Sequence, residues 1–295
     1  MQIDTVAILN TGEMGHNVAR VLKEQGLRTV TCLTGRSERT ARLAAKAGVM
    51  NLPTLIDVVD QSDLIISIVV PSAAAPLAEE IGEIIALTGK SCLFADANAI
   101  SATTAKAIEN IIMKAGARFV DVSIIGGAAR VGKDTSFYVS GAHAQEFAEL
   151  GNRGLKIEIL GDQSGQASAF KIVYAGLTKG LTSLMLEQLM LAKALGILEP
   201  VIERYRSKFP DLVEQMEGTL PGIPFRAARR SDEMGELTQT LEEEGISPIM
   251  APASQRMLAS VGALNLRKEY TDADEATWDM KKVVALLQPR LATKK

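Results

Sequence analysis

In the first half of the chain, short apolar runs alternate with stretches whose apolar positions recur every three or four residues. Val6-Ala7-Ile8-Leu9 is unbroken by polar residues, as in a parallel strand covered on both faces, and Val18, Val21 and Leu22 then take up helical spacing. The switch repeats. Residues 29–34, 49–52, 64–70 and 91–95 read as strands and residues 39–47, 75–87 and 103–115 as helices, with Pro53-Thr54 opening a further one. Strands alternating with helices predict an α/β fold built on a doubly wound parallel sheet. After a strand at 118–123 the alternation weakens. Residues 124–129 read as a small-residue turn, and 135–140 and 155–160 as strands flanking a helix at 142–150. Gly161-Asp162-Gln163-Ser164-Gly165 breaks the pattern, which predicts one domain over residues 1–162 and an all-helical domain over 163–295. In the segment 166–195, Ile172, Val173, Leu177, Leu181, Leu184, Leu186, Leu189 and Leu191 surround most of a helix, predicting a long interdomain helix buried deeply against others. From Pro200 the pattern stays helical, with Pro210, Pro221, Pro224, Pro248 and Pro252 marking starts and stops, and Trp278 is expected to pack in the last amphipathic helix.

The first strand-to-helix turn, residues 10–15, has the parts of a dinucleotide cradle of the Rossmann type. Gly12 lets backbone approach a pyrophosphate, Gly15 lets the helix pack closely on the strand, and the N–H groups of the first helical turn face an anion. Asn10 stands where the pattern has its first glycine, and Asn tolerates the left-handed backbone that position needs. Asn10, Thr11, Gly12, Glu13 and Met14 are therefore expected to line a cofactor. After the second strand comes Gly35-Arg36-Ser37, with no Asp or Glu between Leu27 and Ser37. An NAD site wants a carboxylate there for the ribose 2′-hydroxyl, whereas Arg36 can fork onto a 2′-phosphate and Ser37 can donate to it while capping the next helix. The expected cofactor is NADP(H). Ligands lie beyond the carboxyl ends of such strands, so Val70 and Pro71, and Asn98 after Asp96, are expected to border it. Asp96 reads as a loop or cap residue as readily as a catalytic one.

With 295 residues, 47 % of them hydrophobic, the chain can bury a large core. A formal charge of −3 and 4 % aromatic content argue against a nucleic-acid or anionic-membrane partner. Cys32 and Cys92 sit in apparent strands and read as buried small hydrophobes, and His16 and His143 make no metal-ligand spacing, so no metal is expected. The opening residues lack a basic stretch followed by an apolar one, and no apolar segment reaches the length of a membrane span; the expectation is a cytoplasmic protein.

In the long helix Ser168, Lys171, Tyr174 and Thr178 form a polar stripe. An ammonium in so apolar a helix costs several kcal/mol unless paired or facing a wet cleft. Lys171 is thus either an acid/base in a cleft or a lysine snorkelling to the surface, with Lys179 read the same way and preferred less. Arg226, Arg229 and Arg230 form a basic patch that could take a carboxylate or phosphate, or be a solvated face.

The cofactor turn with Gly12-x-Met14-Gly15, the Gly35-Arg36-Ser37 loop and a lysine after the last Gly-rich turn together resemble the β-hydroxyacid dehydrogenase family, which includes 6-phosphogluconate and 3-hydroxyisobutyrate dehydrogenases. The similarity spans nearly the whole chain. It implies an all-helical C-terminal domain like that of 6-phosphogluconate dehydrogenase, a homodimer or higher homo-oligomer, and a small-molecule substrate. It also implies Lys171 as general acid/base, and a substrate loop over residues 121–127 that contains Ser123, Ile125, Gly126 and Gly127, with Asn98 beside it. Three positions depart from the family. The substrate-binding Ser falls at Ile125, the Asn pair after the lysine falls at Tyr174 and Ala175, and a Lys-Asp pair near the cofactor falls around Asp232 and Glu233. These departures mark a divergent branch and point away from the family's usual substrates. The leading expectation is an NADP(H)-dependent oxidoreductase of a small hydroxy acid or related alcohol. The alternatives are an imine reductase with Tyr174 as proton donor, or a non-catalytic NADP(H)-binding sensor.

Overall fold

The computed structural model describes residues 3–292. Contacts divide it into two compact units, one ending at Ile172 and one beginning at Val173, so the division falls inside the long helix instead of ahead of it.

In chain order, the first unit holds β1 (Thr5–Leu9), α1 (Gly15–Glu24), β2 (Arg28–Cys32), α2 (Glu38–Ala47), β3 (Met50–Leu52), α3 (Leu55–Gln61), β4 (Leu64–Ser67) and α4 (Pro71–Thr88). It continues with β5 (Leu93–Asp96), α5 (Ala102–Lys114), β6 (Arg118–Ile125), β7 (Ser136–Ser140), α6 (Ala144–Ala148), β8 (Lys156–Gly161) and the start of α7 (Gln166–Ala194). The eight strands form one sheet in the order β3-β2-β1-β4-β5-β6-β7-β8, parallel except where β6 meets β7. Both faces are covered. Ile8, Ile66, Val120 and Phe137 pack against Val18, Leu22 and Phe147 on one side, and Ile65, Phe94 and Phe119 against Ile81 and Ile108 on the other. That double coverage is why the central strands carry no polar alternation.

The strands differ from their expected limits where side chains compete for the backbone. β4 stops at Ser67, not Val70, because the Val69 N–H is taken by the side chain of Asn98 at 2.6 Å and the Ile68 carbonyl by that of Asn10 at 3.1 Å. Pro71 opens α4 at the first helical position, where its missing N–H costs nothing. β6 runs on to Ile125, since Ile124 and Ile125 pair with Phe137 and Ser136 in place of turning. Cys32 lies buried in β2, and Cys92 is buried just ahead of β5, which pushes its thiol up to about 11.

The second unit continues α7 and adds α8 (Leu198–Lys208), α9 (Pro210–Thr219), α10 (Ile223–Glu243), α11 (Met250–Ala263), the short α12 (Asp272–Glu275) and α13 (Met280–Leu291). Leu186, Leu189, Met216, Ile223, Leu258 and Val284 form its core. Trp278 precedes α13 instead of lying in it, and stacks on Phe225 with ring centroids 5.2 Å apart. The deep burial expected of α7 holds for one face only. Leu186 and Leu189 are covered, whereas Val173 and Leu177 are 70 % and 66 % exposed and Leu184 and Leu191 about half so. A helix apolar all round has more apolar surface than its own chain covers here.

Candidate functional site

The turn after β1 is fixed by close backbone packing. Asn10 adopts a left-handed φ of 76°, and a Cβ on Gly15 would stand 2.4 Å from the Asn10 carbonyl oxygen, so the entry into α1 tolerates only glycine there. The helical bonds begin with the His16 N–H donating to the Gly12 carbonyl, which also accepts from His16 Nδ1 at 2.7 Å. Asn17 folds back in the same way onto the Glu13 carbonyl. The N–H groups ahead of His16 precede that ladder, at the positive end of the helix dipole. Thr11 is fully buried, its hydroxyl directed at the Thr40 carbonyl of α2, while Glu13 is exposed and Met14 half-buried.

Beside the turn, Gly35, Arg36 and Ser37 are all exposed, and Ser37 caps α2 by accepting from the Thr40 N–H. A Cβ on Gly12 would sit in ordinary contact with the Asn10 amide at 3.5 Å. An anion cradle, an exposed guanidinium and a hydroxyl suit the phosphates of a dinucleotide. Val70, 53 % exposed, and Pro71 follow at the end of β4.

Asn98 is 2 % exposed and plays a different part from the expected ligand contact. Its amide nitrogen donates to Asp96 Oδ2 at 2.8 Å and to Ser67 Oγ at 3.1 Å, and its carbonyl oxygen accepts from Val69. Both amide hydrogens are therefore spent. Asn98 clasps the ends of β4 and β5 and holds the Val69-Val70 segment.

At the carboxyl edge, Asp96, Asp121 and Ser168 take structural roles that the sequence did not assign them. Asp96 is fully buried, and burial pushes its carboxyl up to about 7. Hydrogen bonds from Asn98 oppose that rise, the neighbouring Asp121 adds to it, and the charge of Lys171 draws it down. Asp121, also fully buried, accepts from the N–H groups of Gly165 (2.9 Å) and Ser168 (3.0 Å) and the hydroxyls of Ser168 (2.7 Å) and Ser140 (3.1 Å), which seats the first turn of α7 on β6. Burial still leaves its carboxyl above the usual range. Ser168, first in the polar stripe, thus belongs to this seat. The signal available was that β4, β5 and β7 each end on a polar residue.

Lys171 follows Ser168 by one helical turn and is half-buried. Ser123 and Ile125 project from the same face of β6 as Asp121, by the two-residue period of a strand. Ser123 is fully buried, and its hydroxyl has no hydrogen-bond partner among the described residues. Gly126 and Gly127 are exposed beyond the strand. Gly126 has φ 137°, and an added Cβ there would stand 2.5 Å from Thr135 Oγ1, whose hydroxyl donates to the Gly127 carbonyl at 2.7 Å.

Other expected residues fall in the second unit and are engaged there. Tyr174 is 49 % exposed on α7. Lys179 pairs with the buried Glu233 at 2.7 Å, Arg229 approaches the same carboxylate at 3.5 Å, and Arg226 pairs with Glu275 at 2.5 Å. Arg230 is half-buried, and desolvation lowers its guanidinium from the usual value. Among the described residues, no cluster of His, Cys, Asp and Glu is placed to hold a metal, and no helix is long and apolar enough to cross a membrane.

A parallel sheet with a glycine turn at its first helix and a lysine at its carboxyl edge defines a pyridine-nucleotide-binding fold of the dehydrogenase type. Comparison with known proteins agrees. Residues 5–152 match the NAD-binding domain of 6-phosphogluconate dehydrogenase, and residues 192–261 match a domain of unknown function, DUF1932. A solved conserved protein of unknown function, reported as structurally similar to 3-hydroxyacid dehydrogenases, is 32 % identical, with 89 % of this chain and 98 % of that one covered at a TM-score of 0.68. The fold alone is shared with Mycobacterium tuberculosis 3-hydroxyisobutyrate dehydrogenase solved with L-serine (19 % identity, 97 % and 99 % covered, TM-score 0.71). It is likewise shared with an imine reductase variant from Myxococcus stipitatus solved with NAD+ (20 %, 97 % and 100 %, 0.59). The chain belongs to the β-hydroxyacid dehydrogenase family of oxidoreductases, as a divergent member carrying an NAD(P)-binding domain.

Proposed function

We propose that this protein is an NADP(H)-dependent oxidoreductase that moves a hydride between nicotinamide and a small hydroxy acid or related alcohol, with Lys171 as general acid/base. The observation that carries the reading is Lys171 itself, a half-buried amine one helical turn beyond Ser168, which Asp121 of β6 holds in place. The turn of residues 10–15 would hold the pyrophosphate, and Arg36 with Ser37 the 2′-phosphate, there being no acid at the end of β2 to favour NAD. Bound NADP(H) would supply or accept the hydride. Lys171 would take the hydroxyl proton during oxidation and return it during reduction, while the N–H groups of Gly126 and Gly127 orient a carboxylate. Ser123, with its unpartnered buried hydroxyl, is held as a further substrate contact, and Ile125 contributes an apolar wall where the family has Ser.

Imine reduction is the second reading, supported by Tyr174 standing half-exposed where the family has Asn. The exposed apolar stripe of α7 supports a homodimer or higher oligomer, to be measured as solution mass. A cytoplasmic setting completes the proposal.

The test pairs a hydroxy-acid panel with a cyclic imine. Lys171→Met should lose alcohol turnover and keep NADPH affinity; retained turnover removes Lys171 as acid/base. Imine turnover that falls in Tyr174→Phe would favour the second reading, and cofactor binding without turnover on any substrate would leave a sensor.

A further inference from the structure

Two consecutive side chains of α1 turn back onto the loop that precedes the helix. His16 Nδ1 lies 2.7 Å from the Gly12 carbonyl oxygen, the Asn17 side-chain nitrogen 3.0 Å from the Glu13 carbonyl oxygen, and that same nitrogen 3.1 Å from His16 Nε2. The backbone bonds differ at the two residues. The His16 N–H goes to Gly12, but the Asn17 N–H goes to Met14, three residues back, and the Asn17 side chain supplies the donor to Glu13.

These contacts assign the proton on the ring. A carbonyl oxygen only accepts, so Nδ1 carries the hydrogen, and an amide nitrogen only donates, so Nε2 is bare. The Asn17 amide cannot be turned round, because its oxygen would then face the Glu13 carbonyl. His16 is held as the neutral Nδ1–H tautomer, bonded on one side to the loop and on the other to Asn17.

Peptide geometry carries this to the cradle. The 12–13 and 13–14 peptides are trans, so each N–H points opposite to the carbonyl before it. With the Gly12 and Glu13 carbonyls drawn toward the first turn of α1, the Glu13 and Met14 N–H groups are aimed ahead of the helix, at the positive end of its dipole. Donation to each carbonyl also polarises its peptide, which strengthens the N–H as a donor.

We propose that His16 and Asn17 are positioning residues for the cofactor pyrophosphate. As a linked pair they hold the Gly12 and Glu13 carbonyls back and so present the Glu13 and Met14 N–H groups to the phosphates that NADPH and NADH have in common. The proposal rests on the reading of residues 10–15 as the pyrophosphate cradle, inside the matched NAD-binding domain. The pair sets affinity for both nucleotides, whereas Arg36 sets the choice between them.

The experiment joins a nitrogen-15 spectrum of the His-labelled, ligand-free full chain to calorimetric titration of NADPH and NADH into wild type, His16→Leu, His16→Gln and Asn17→Leu. The chain has two histidines, and His16→Gln identifies the His16 signal. The neutral ring should carry its hydrogen on Nδ1. His16→Leu should weaken NADPH and NADH by the same factor, about fivefold or more, while His16→Gln, whose amide can donate to Gly12 and accept from Asn17, stays within about twofold of wild type. Asn17→Leu removes the other half of the pair and should show the loss as well, which decides the matter should His16→Leu not fold. An Nε2–H tautomer, affinities unmoved in His16→Leu and Asn17→Leu, or a loss in His16→Gln as large as that in His16→Leu overturns the proposal. Failure of the cradle reading is seen separately, as wild type binding neither nucleotide, and it overturns both.

Discussion

Asp121 is where the account of α7 can be tested most sharply. Its carboxylate receives the Gly165 and Ser168 N–H groups and the Ser168 and Ser140 hydroxyls, in a position that is fully buried. In Asp121→Ala the helix start loses the equivalent of a cap, about 0.5–2 kcal/mol, and each buried donor left without a partner adds about 1–3 kcal/mol. Ser140 keeps a second bond, because its hydroxyl oxygen accepts the Ala167 N–H at 2.9 Å. Water entering the gap satisfies part of the rest, and the burden of a buried charge disappears, so the net loss is about 3–5 kcal/mol. Asp121→Asn keeps the shape and one acceptor oxygen and should lose about 1–2 kcal/mol. Because the chain has two compact units, one global unfolding curve does not say where the loss falls. Hydrogen exchange read at the amides of β6, β7 and the first turns of α7 localises the change. Protection there that falls by less than about 1 kcal/mol in Asp121→Ala would refute the idea that this carboxylate seats the helix.

Further outcomes follow from the same edge of the sheet. Gly15→Ala places a methyl 2.4 Å from the Asn10 carbonyl, so the turn must open, with about 2–4 kcal/mol lost and cofactor binding weakened together, both read by calorimetry. Asn98→Leu removes the clasp between β4 and β5 and should lower stability by about 2–3 kcal/mol, with faster exchange of the Val69 amide as its signature. Asp96 holds its proton up to about 7 in the folded chain against a reference of 3.8. The folded state therefore binds more protons between those values, this group lowers stability as pH rises through the window, and Asp96→Asn should flatten that slope in denaturant titrations at several pH values.

The fold was legible because buried parallel strands and helices have different periods, and the dinucleotide turn because its glycines sit between them. What escaped had non-local causes. Ile68, Val69 and Val70 remain apolar after β4 has ended, and only the partners of Asn10 and Asn98 show why. Asn98 looked like a ligand residue since nothing in the sequence says that both its amide hydrogens are taken. The row of Ser67, Asp96, Asp121 and Ser140 depends on register across β4, β5, β6 and β7, which a linear reading does not contain, so Asp96 passed as a cap and Asp121 as part of a loop. Ser168 and Lys171 shared a stripe in the sequence, yet one is a buried structural hydroxyl and the other a half-buried amine. The run of leucines in α7 gave the helix its length but not the face it leaves exposed.

The account turns on the turn of residues 10–15 and Arg36 forming one site for a phosphorylated dinucleotide. Calorimetric titration of NADPH and NADH into the wild-type chain and into Arg36→Ala tests it directly. NADPH should bind wild type at least about tenfold more tightly than NADH, some 1.4 kcal/mol, and lose that margin in Arg36→Ala while NADH is unchanged. Equal binding of the two nucleotides by wild type, or an NADPH preference that survives the loss of Arg36, would contradict it.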